Sequence, residues 1–434
     1  MAAGARGAPS PAVPAAALAG AGAAQADAIV ATYQAGFALP GPFYTDPGLY
    51  ELELTRIWYQ GWLFAALSCE LPQPGSYIVY AVGACSAVNV RQGDGSVAAY
   101  HNVCRHRGSL IVDEPAGRVR NFTCPYHQWM YGLDGSLRQC RAMPADLDRS
   151  LYSLRRVHAA EIAGLIFISF AASPPEIGAA ASLLGAMAAP QGLEHAKVAH
   201  VADYEIAANW KLVWENNREC YHCDASNPQY IAANYDRYDA GDMPAPVARE
   251  LAEVTRRMQE RWAACGLGVT HAQGGLARFP SADGSVWYAA NRTALVSSYE
   301  TESMDSTRVA PLMGAYPGSD VGVLRLRTLP NFWHHGSCDH AVLTRLTPSG
   351  LGSTSARVVW LVDGGAREGR DYDLRALLPF WQLTSEQDWQ ICARQQRGVR
   401  SPGYVPGPLS PAKEYNVMAF HAWYLRTLGS ATRI

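Results

Sequence analysis

The chain is short of charge. Only 17% of its 434 residues are Asp, Glu, Lys or Arg, and 36 basic against 38 acidic side chains leave a formal net charge of −2. With the two signs intermixed and no basic stripe, no long-range field draws the protein to nucleic acid or to an anionic membrane surface. No run approaches the roughly 18 continuous apolar residues of a membrane helix, so the chain is expected to be soluble. No Gly-x-Gly-x-x-Gly opens a helix after a strand, which leaves no motif for a flavin or a nicotinamide dinucleotide. Of the ten cysteines, Cys69, Cys85, Cys140, Cys220, Cys223, Cys265, Cys338 and Cys392 are scattered without a disulfide framework, the usage of a reducing cytoplasm. Residues 1–26 have almost no large side chains and are expected to be a disordered tail. Pro9, Pro11 and Pro14 interrupt that stretch, and Ala and Gly make too weak an apolar region for a secretory signal. No internal repeat is visible.

What is present divides into an α+β arrangement. Residues 27–74 read as a helical segment, with a helix over Tyr44 to Phe64 carrying Leu49, Leu52, Leu54 and Ile57. Residues 75–170 are short, alternating and turn-rich, as in Tyr77–Val82, Ala87–Val90, Val97–Tyr100 and Leu165–Phe170, which predicts a small antiparallel domain. Asp134-Gly135 is a hairpin signal inside it. Pro174 to Gly192 is an Ala-rich linker or surface helix. Residues 171–434 alternate helices with strands: a helix over Tyr204 to Cys223, strands at Val323–Leu329, Ala341–Leu346 and Ser355–Val362, and a helix over Ser385 to Arg397. Strands followed by a long helix imply an antiparallel sheet with helices on one face.

Two short loops carry the strongest chemistry. Cys104-Arg105-His106 and Cys124-Pro125-Tyr126-His127 are separated by the 17 residues from Arg107 to Thr123, and each offers one thiolate and one imidazole. A tetrahedral zinc site is the competing reading, but zinc sites usually group Cys with Cys and His with His. Cys-x-His, seventeen residues, Cys-x-x-His resembles the Rieske iron–sulfur signature, in which two Cys hold one iron of a [2Fe–2S] cluster and two His the other, raising its potential.

Farther on, Glu219 and His222 stand three apart and would share a helix face. Such a pair serves as a general base, as two ligands or as ligand and support; the bland reading is a solvated Glu and a core His. Asp388, in Ser385-Glu-Gln-Asp388, equally fits the acid of a helix's first turn.

The string Asn216-Asn-Arg-Glu-Cys-Tyr-His-Cys223, with the paired loops, resembles the Rieske non-heme iron oxygenases. The likeness is to the branch acting on quaternary amines such as glycine betaine, proline betaine, carnitine and choline, and it runs from about Phe43 to Leu428. The resemblance implies an N-terminal all-β Rieske domain and a C-terminal helix-grip catalytic domain. It assigns Cys104, His106, Cys124 and His127 to the cluster, and His222 and Asp388 to a mononuclear non-heme Fe(II). Glu219 becomes the carboxylate linking His222 to a cluster histidine, His127 of a neighbouring subunit. The family's second iron histidine, before a proline, is here Asn227, ahead of Pro228; its neutral oxygen is a harder and shorter-reaching donor than imidazole, so iron binding should weaken. Asp224, His195 and His200 are the candidates to substitute. An aromatic cage for a trimethylammonium group would draw on Tyr221, Phe332 and Trp333, with Tyr299, Trp381 and Trp423 also available; His334 and His335 read as structural. The implied reaction is O2-dependent hydroxylation of an N-methyl carbon, releasing formaldehyde, by a cytoplasmic homotrimer fed by a flavin- or ferredoxin-type reductase. The alternatives are a dioxygenase of aromatic rings, and an electron-carrying homologue with a dead iron site.

Overall fold

The structure, a computed structural model, describes residues 19–237, 243–268, 281 and 283–429. Residues 1–18 of the expected tail lie outside the described residues, but its last part does not stay unfolded. A helix runs over Ala19–Val30, because alanine has the best helix propensity and because Ala26 and Ile29 bury against a core containing Phe43, Tyr44 and Leu49. The helix expected over residues 44–64 is broken into shorter pieces, Pro42–Thr45, Pro47–Glu53 and the wider-wound Leu54–Trp58. The chain then enters the strand Leu63–Leu67.

That strand moves the start of the β domain back from residue 75. Leu63–Leu67 pairs antiparallel with Leu165–Ser169 and forms one edge of a seven-stranded sheet that continues through Arg156–Ile162, Val97–His101, Cys85–Arg91, Ser76–Val82 and Ala116–Arg118. A three-stranded sheet of Phe122–Thr123, Met130–Tyr131 and Leu137–Gln139 accompanies it. Its hairpin turns at Asp134-Gly135, where Gly135 has φ +79°, a conformation that glycine adopts without steric cost.

The second half is built on a six-stranded antiparallel sheet in the order Lys197–Ile206, Ser353–Val362, His340–Gly350, Phe332–Gly336, Val323–Thr328, Tyr288–Thr293. The long helix Pro379–Val399 packs against the helix Trp210–Asn217 and against the strand Lys197–Ile206. The helix expected over 204–223 starts late, because residues 197–206 are in register with 354–362 as an edge strand.

The two halves share one interior. Phe332 of the large sheet lies 4.4 Å from Phe64 and 6.0 Å from Phe167, both strand residues of the β domain. Beside it the Asn331 amide accepts from the Phe64 N–H at 2.8 Å and donates to the Phe64 carbonyl at 2.9 Å, standing in for a neighbouring strand at that sheet edge. A second anchor is ionic. Lys211 Nζ lies 2.6 Å from Glu53 Oε1 with both side chains fully buried, and Trp210 and Tyr424 also donate to that carboxylate, at 2.8 and 2.6 Å. It fixes the helix Trp210–Asn217 that leads into the site. Among the described residues no helix is long and apolar enough to cross a membrane.

Candidate functional site

The paired loops occupy neighbouring tips of the β domain. Cys104 follows the strand Val97–His101, and Cys124 to His127 lie between Phe122–Thr123 and Met130–Tyr131. Cys104 and Cys124 are buried, the rings of His106 and His127 are 4.7 Å apart, and His106 stacks on Trp129 at 4.8 Å. Tyr131 places its hydroxyl 3.3 Å from Cys104 Sγ. Burial opposes ionisation of Cys124, yet the backbone N–H groups of Tyr126 and His127 aim at its sulfur and lower its pKa, which favours the thiolate that binds metal. His106 Nδ1 is buried with no partner. Two buried thiols, two adjacent imidazoles and an orphaned ring nitrogen fit a [2Fe–2S] cluster with mixed ligands.

Glu219 and His222 meet, though not on a helix. The helix ends at Asn217 and residues 218–222 form a turn, in which Glu219 Oε1 lies 2.6 Å from His222 Nδ1 while Oε2 accepts from the backbone N–H groups of Tyr221 and His222. The other ring nitrogen, Nε2, points toward Asp388 Oδ1 at 3.4 Å and lies 3.3 Å from Asn216 Nδ2. Burial disfavours the His222 cation, but hydrogen bonds and charge from Asp388 and Glu219 prevail and push its pKa up to about 10. Two carboxylates on one imidazole make a place that favours a positive charge, as a proton or as a metal ion. Cys220 and Cys223, expected as free thiols, are joined in a disulfide that brackets Tyr221 and His222.

Asp388 is no helix-start residue. Its helix begins at Pro379, so Trp381, Thr384 and Asp388 fall at positions i, i+3 and i+7 of one face. Asn227 precedes Pro228 in a non-helical conformation, φ −127°, as the residue before a proline favours. It is buried, and its Nδ2 donates to Asp388 Oδ1 at 3.1 Å and to Gln387 Oε1 at 3.2 Å. Its Oδ1 has no partner. Turning the amide over would present that oxygen to an ion beside Asp388. The donors therefore fit iron as one imidazole, one carboxylate and one amide oxygen, a weaker set than two imidazoles and a carboxylate. None of the substitutes lines the site: His195 is largely exposed beside Glu194, His200 packs on Trp360 and Asp224 is on the surface.

His222, Asn227 and Asp388 open into a cleft of about 400 Å3, its mouth included, whose other walls include Tyr230, Arg327, His335 and Trp381. The aromatic lining differs from the expected one. Of the aromatics named from the sequence, Trp381 lines the cleft, but Tyr221 is 61% exposed, Phe332 is locked between Phe64 and Phe167, and Trp333 packs on Trp214 and Trp389. Phe332→Ala should cost about 3–5 kcal/mol of stability, read by urea unfolding, and leave substrate KM unchanged; a raised KM at unaltered stability would return Phe332 to the pocket. Sequence reasoning missed Tyr230 and Arg327. A signal existed in Leu324-Arg-Leu-Arg327, where charges alternate through a strand apolar enough to be buried on both faces.

Residues 193–430 match the family described as ring hydroxylating alpha subunit (catalytic domain), and residues 61–157 match the Rieske [2Fe-2S] domain. The glycine betaine monooxygenase oxygenase subunit of Chromohalobacter salexigens is 37% identical over 398 residues, covering 91% of this chain and 86% of the relative. The protein of the same description from Pseudomonas aeruginosa strain UCBPP-PA14 is 36% identical over 394 residues, 89% and 88% of the two chains. Among solved structures, a quaternary ammonium Rieske monooxygenase bound to an inhibitor superposes with a TM-score of 0.67 at 21% identity, over 92% of this chain and 98% of that one.

Proposed function

Because the chain belongs to the ring-hydroxylating alpha subunits of the Rieske non-heme iron oxygenases, we propose that it is the oxygenase subunit of a two-component monooxygenase that demethylates a quaternary ammonium substrate of the betaine type. The observation that carries the site assignment is the line Glu219–His222–Asp388, with separations of 2.6 and 3.4 Å, opening on a cleft with Trp381 and Tyr230 in its wall. In this reading Cys104, His106, Cys124 and His127 hold the cluster, and His222, Asp388 and, weakly, Asn227 hold the iron. When bound, the two metal groups supply one-electron transfer and activation of O2.

The side chains prepare that chemistry. Glu219 accepts a hydrogen bond from His222 Nδ1–H, which orients the ring so that Nε2, the atom that would ligate iron after losing its proton, faces Asp388. Trp381 and Tyr230 put aromatic surface in the cleft wall, the kind of surface that attracts a cation unable to donate a hydrogen bond, with Arg325 already over the Tyr230 ring at 6.0 Å. Hydroxylation of one N-methyl carbon yields a hemiaminal, which breaks its C–N bond to give formaldehyde, a proton and the tertiary amine. Electrons come from a separate reductase of flavin or ferredoxin type, since the chain carries no dinucleotide motif. Glu219 sits beside the exposed Tyr221, and Tyr126 next to His127 is also exposed, which supports a homotrimer in which His127 of one subunit faces Glu219 of another. The even charge balance and the absence of a membrane helix among the described residues support a cytoplasmic location.

The test is reductase-dependent O2 uptake with formaldehyde release from glycine betaine, beside iron and acid-labile sulfide counts per chain. Three irons to two sulfides fill both centres. Asn227→His should then raise the iron by the fraction of a site that Asn227 leaves empty, at most about one per chain; equal iron in the two proteins, with the wild type short of three, would refute the weakening. The Asn227–Asp388 hydrogen bond favours a second reading, an electron carrier without turnover. Two irons, two sulfides and no formaldehyde would select it.

A further inference from the structure

The cleft beside His222 contains a positive charge that the iron chemistry does not use. Arg325 and Arg327 alternate on the strand Val323–Thr328 and so project to the same face. Arg325 is neutralised: Asp236 lies 2.8 Å from its guanidinium and the buried Glu302 adds further charge. Arg327, 1% exposed, has as its printed hydrogen-bond partner among the described residues the neutral Asn291 side-chain oxygen at 3.2 Å, and the charge of Asp236, which is paired with Arg325, offsets its own only in part. Its Nε is buried with no partner, and among the described residues no carboxylate forms an ion pair with it. Burial and the nearby Arg325 lower its pKa to about 10, which leaves it cationic at neutral pH. A guanidinium buried without an ion pair of its own is costly, and Arg327 lines the cleft.

Elsewhere in the lining the requirement is the opposite. Trp381 and Tyr230 bring aromatic surface, while the charges of Asp388 and Glu219 are engaged by His222. His335, whose ring lies 4.3 Å from that of Trp381, is kept neutral, burial and the charges of Arg325 and Arg327 holding its pKa well below the usual value. A ligand matched to all of these walls carries a cation that makes no hydrogen bond and, at its other end, an anion.

Resting on the reading of this cleft as the amine site, we infer that Arg327 binds the carboxylate of the substrate and so selects zwitterionic betaines over quaternary amines that end in a hydroxyl. The planar fork of a guanidinium matches a carboxylate in two parallel hydrogen bonds. Arg327 is thus a specificity-determining residue remote from the reacting methyl group.

The experiment is calorimetric binding of glycine betaine and of choline to the full, cluster-loaded chain, in the wild type and in Arg327→Gln and Arg327→Lys. These two ligands share the trimethylammonium group and differ in carboxylate against hydroxyl. The wild type should bind glycine betaine more tightly than choline. Arg327→Gln should weaken glycine betaine on the order of 100-fold and leave choline nearly unchanged, and Arg327→Lys should fall between. Equal loss for both ligands would make Arg327 structural and overturn the inference, as would a wild type that binds choline as well as glycine betaine. If glycine betaine binds through Arg327 but yields no formaldehyde with reductase and O2, the inference stands and the proposed activity fails.

Discussion

Glu219→Gln should lower product formation by about 10- to 100-fold while the visible spectrum and the reduction of the cluster stay as in the wild type. The amide keeps the length of the side chain and can still accept from His222 Nδ1, at 2.6 Å in the native turn. It removes the charge that makes the imidazole a strong donor at Nε2, and it removes the negative group that a cluster histidine of a neighbouring subunit would meet. The measurement is single turnover: the cluster is reduced beforehand, substrate and O2 are added, and its reoxidation is followed by absorbance. Reoxidation as fast as in the wild type would remove Glu219 from the electron route. A slowed first turnover with unchanged iron content would separate a defect of transfer from a lost metal.

Lys211→Met should have a large effect on stability, of the same order as Phe332→Ala. It strips the counter-charge from Glu53 but leaves the carboxylate buried with the Trp210 and Tyr424 donors, and breaking a buried pair from one side costs about 3–5 kcal/mol. Burial alone would push the Lys211 ammonium to its neutral form, and its pKa is indeed lowered, with Glu53 opposing the shift. The double variant Glu53→Gln with Lys211→Met removes both charges and should recover most of the loss. Urea unfolding of the three proteins checks this. A single variant as stable as the wild type would mean that the carboxylate finds water or a proton at little cost.

What the sequence made legible was local. The spacing of Cys104, His106, Cys124 and His127 is legible because each pair sits in one tight loop, and the loop itself brings thiol and imidazole together. Glu219 and His222 are close enough in the chain to meet in a helix or in a turn, so their pairing was readable while the element carrying them was not. Asp388 shows the limit from the other side: Ser385-x-x-Asp388 has the form of a helix start, but the helix had already begun at Pro379, because the residues before it are held by packing that the local string does not encode. Phe332 was misplaced for the same reason, since its ring contacts come from Phe64 and Phe167, well over a hundred residues away in the chain. Arg327 needed the sheet register as well, because only pairing with the strands on either side decides which face of an alternating segment meets the cleft.

The packing of Phe332 between Phe64 and Phe167, with Asn331 bonded to the strand edge beside it, bears on how electrons travel. A carrier domain on a loose tether can deliver charge by swinging between docking positions, but that needs a hinge and a wet, separable interface. Here a dry aromatic contact and a backbone-mimicking amide weld the electron-carrying half to the half that performs oxidation. Each cluster therefore keeps a fixed distance and orientation to the iron pocket of its own chain, and the geometry between the two is not remade at each turnover.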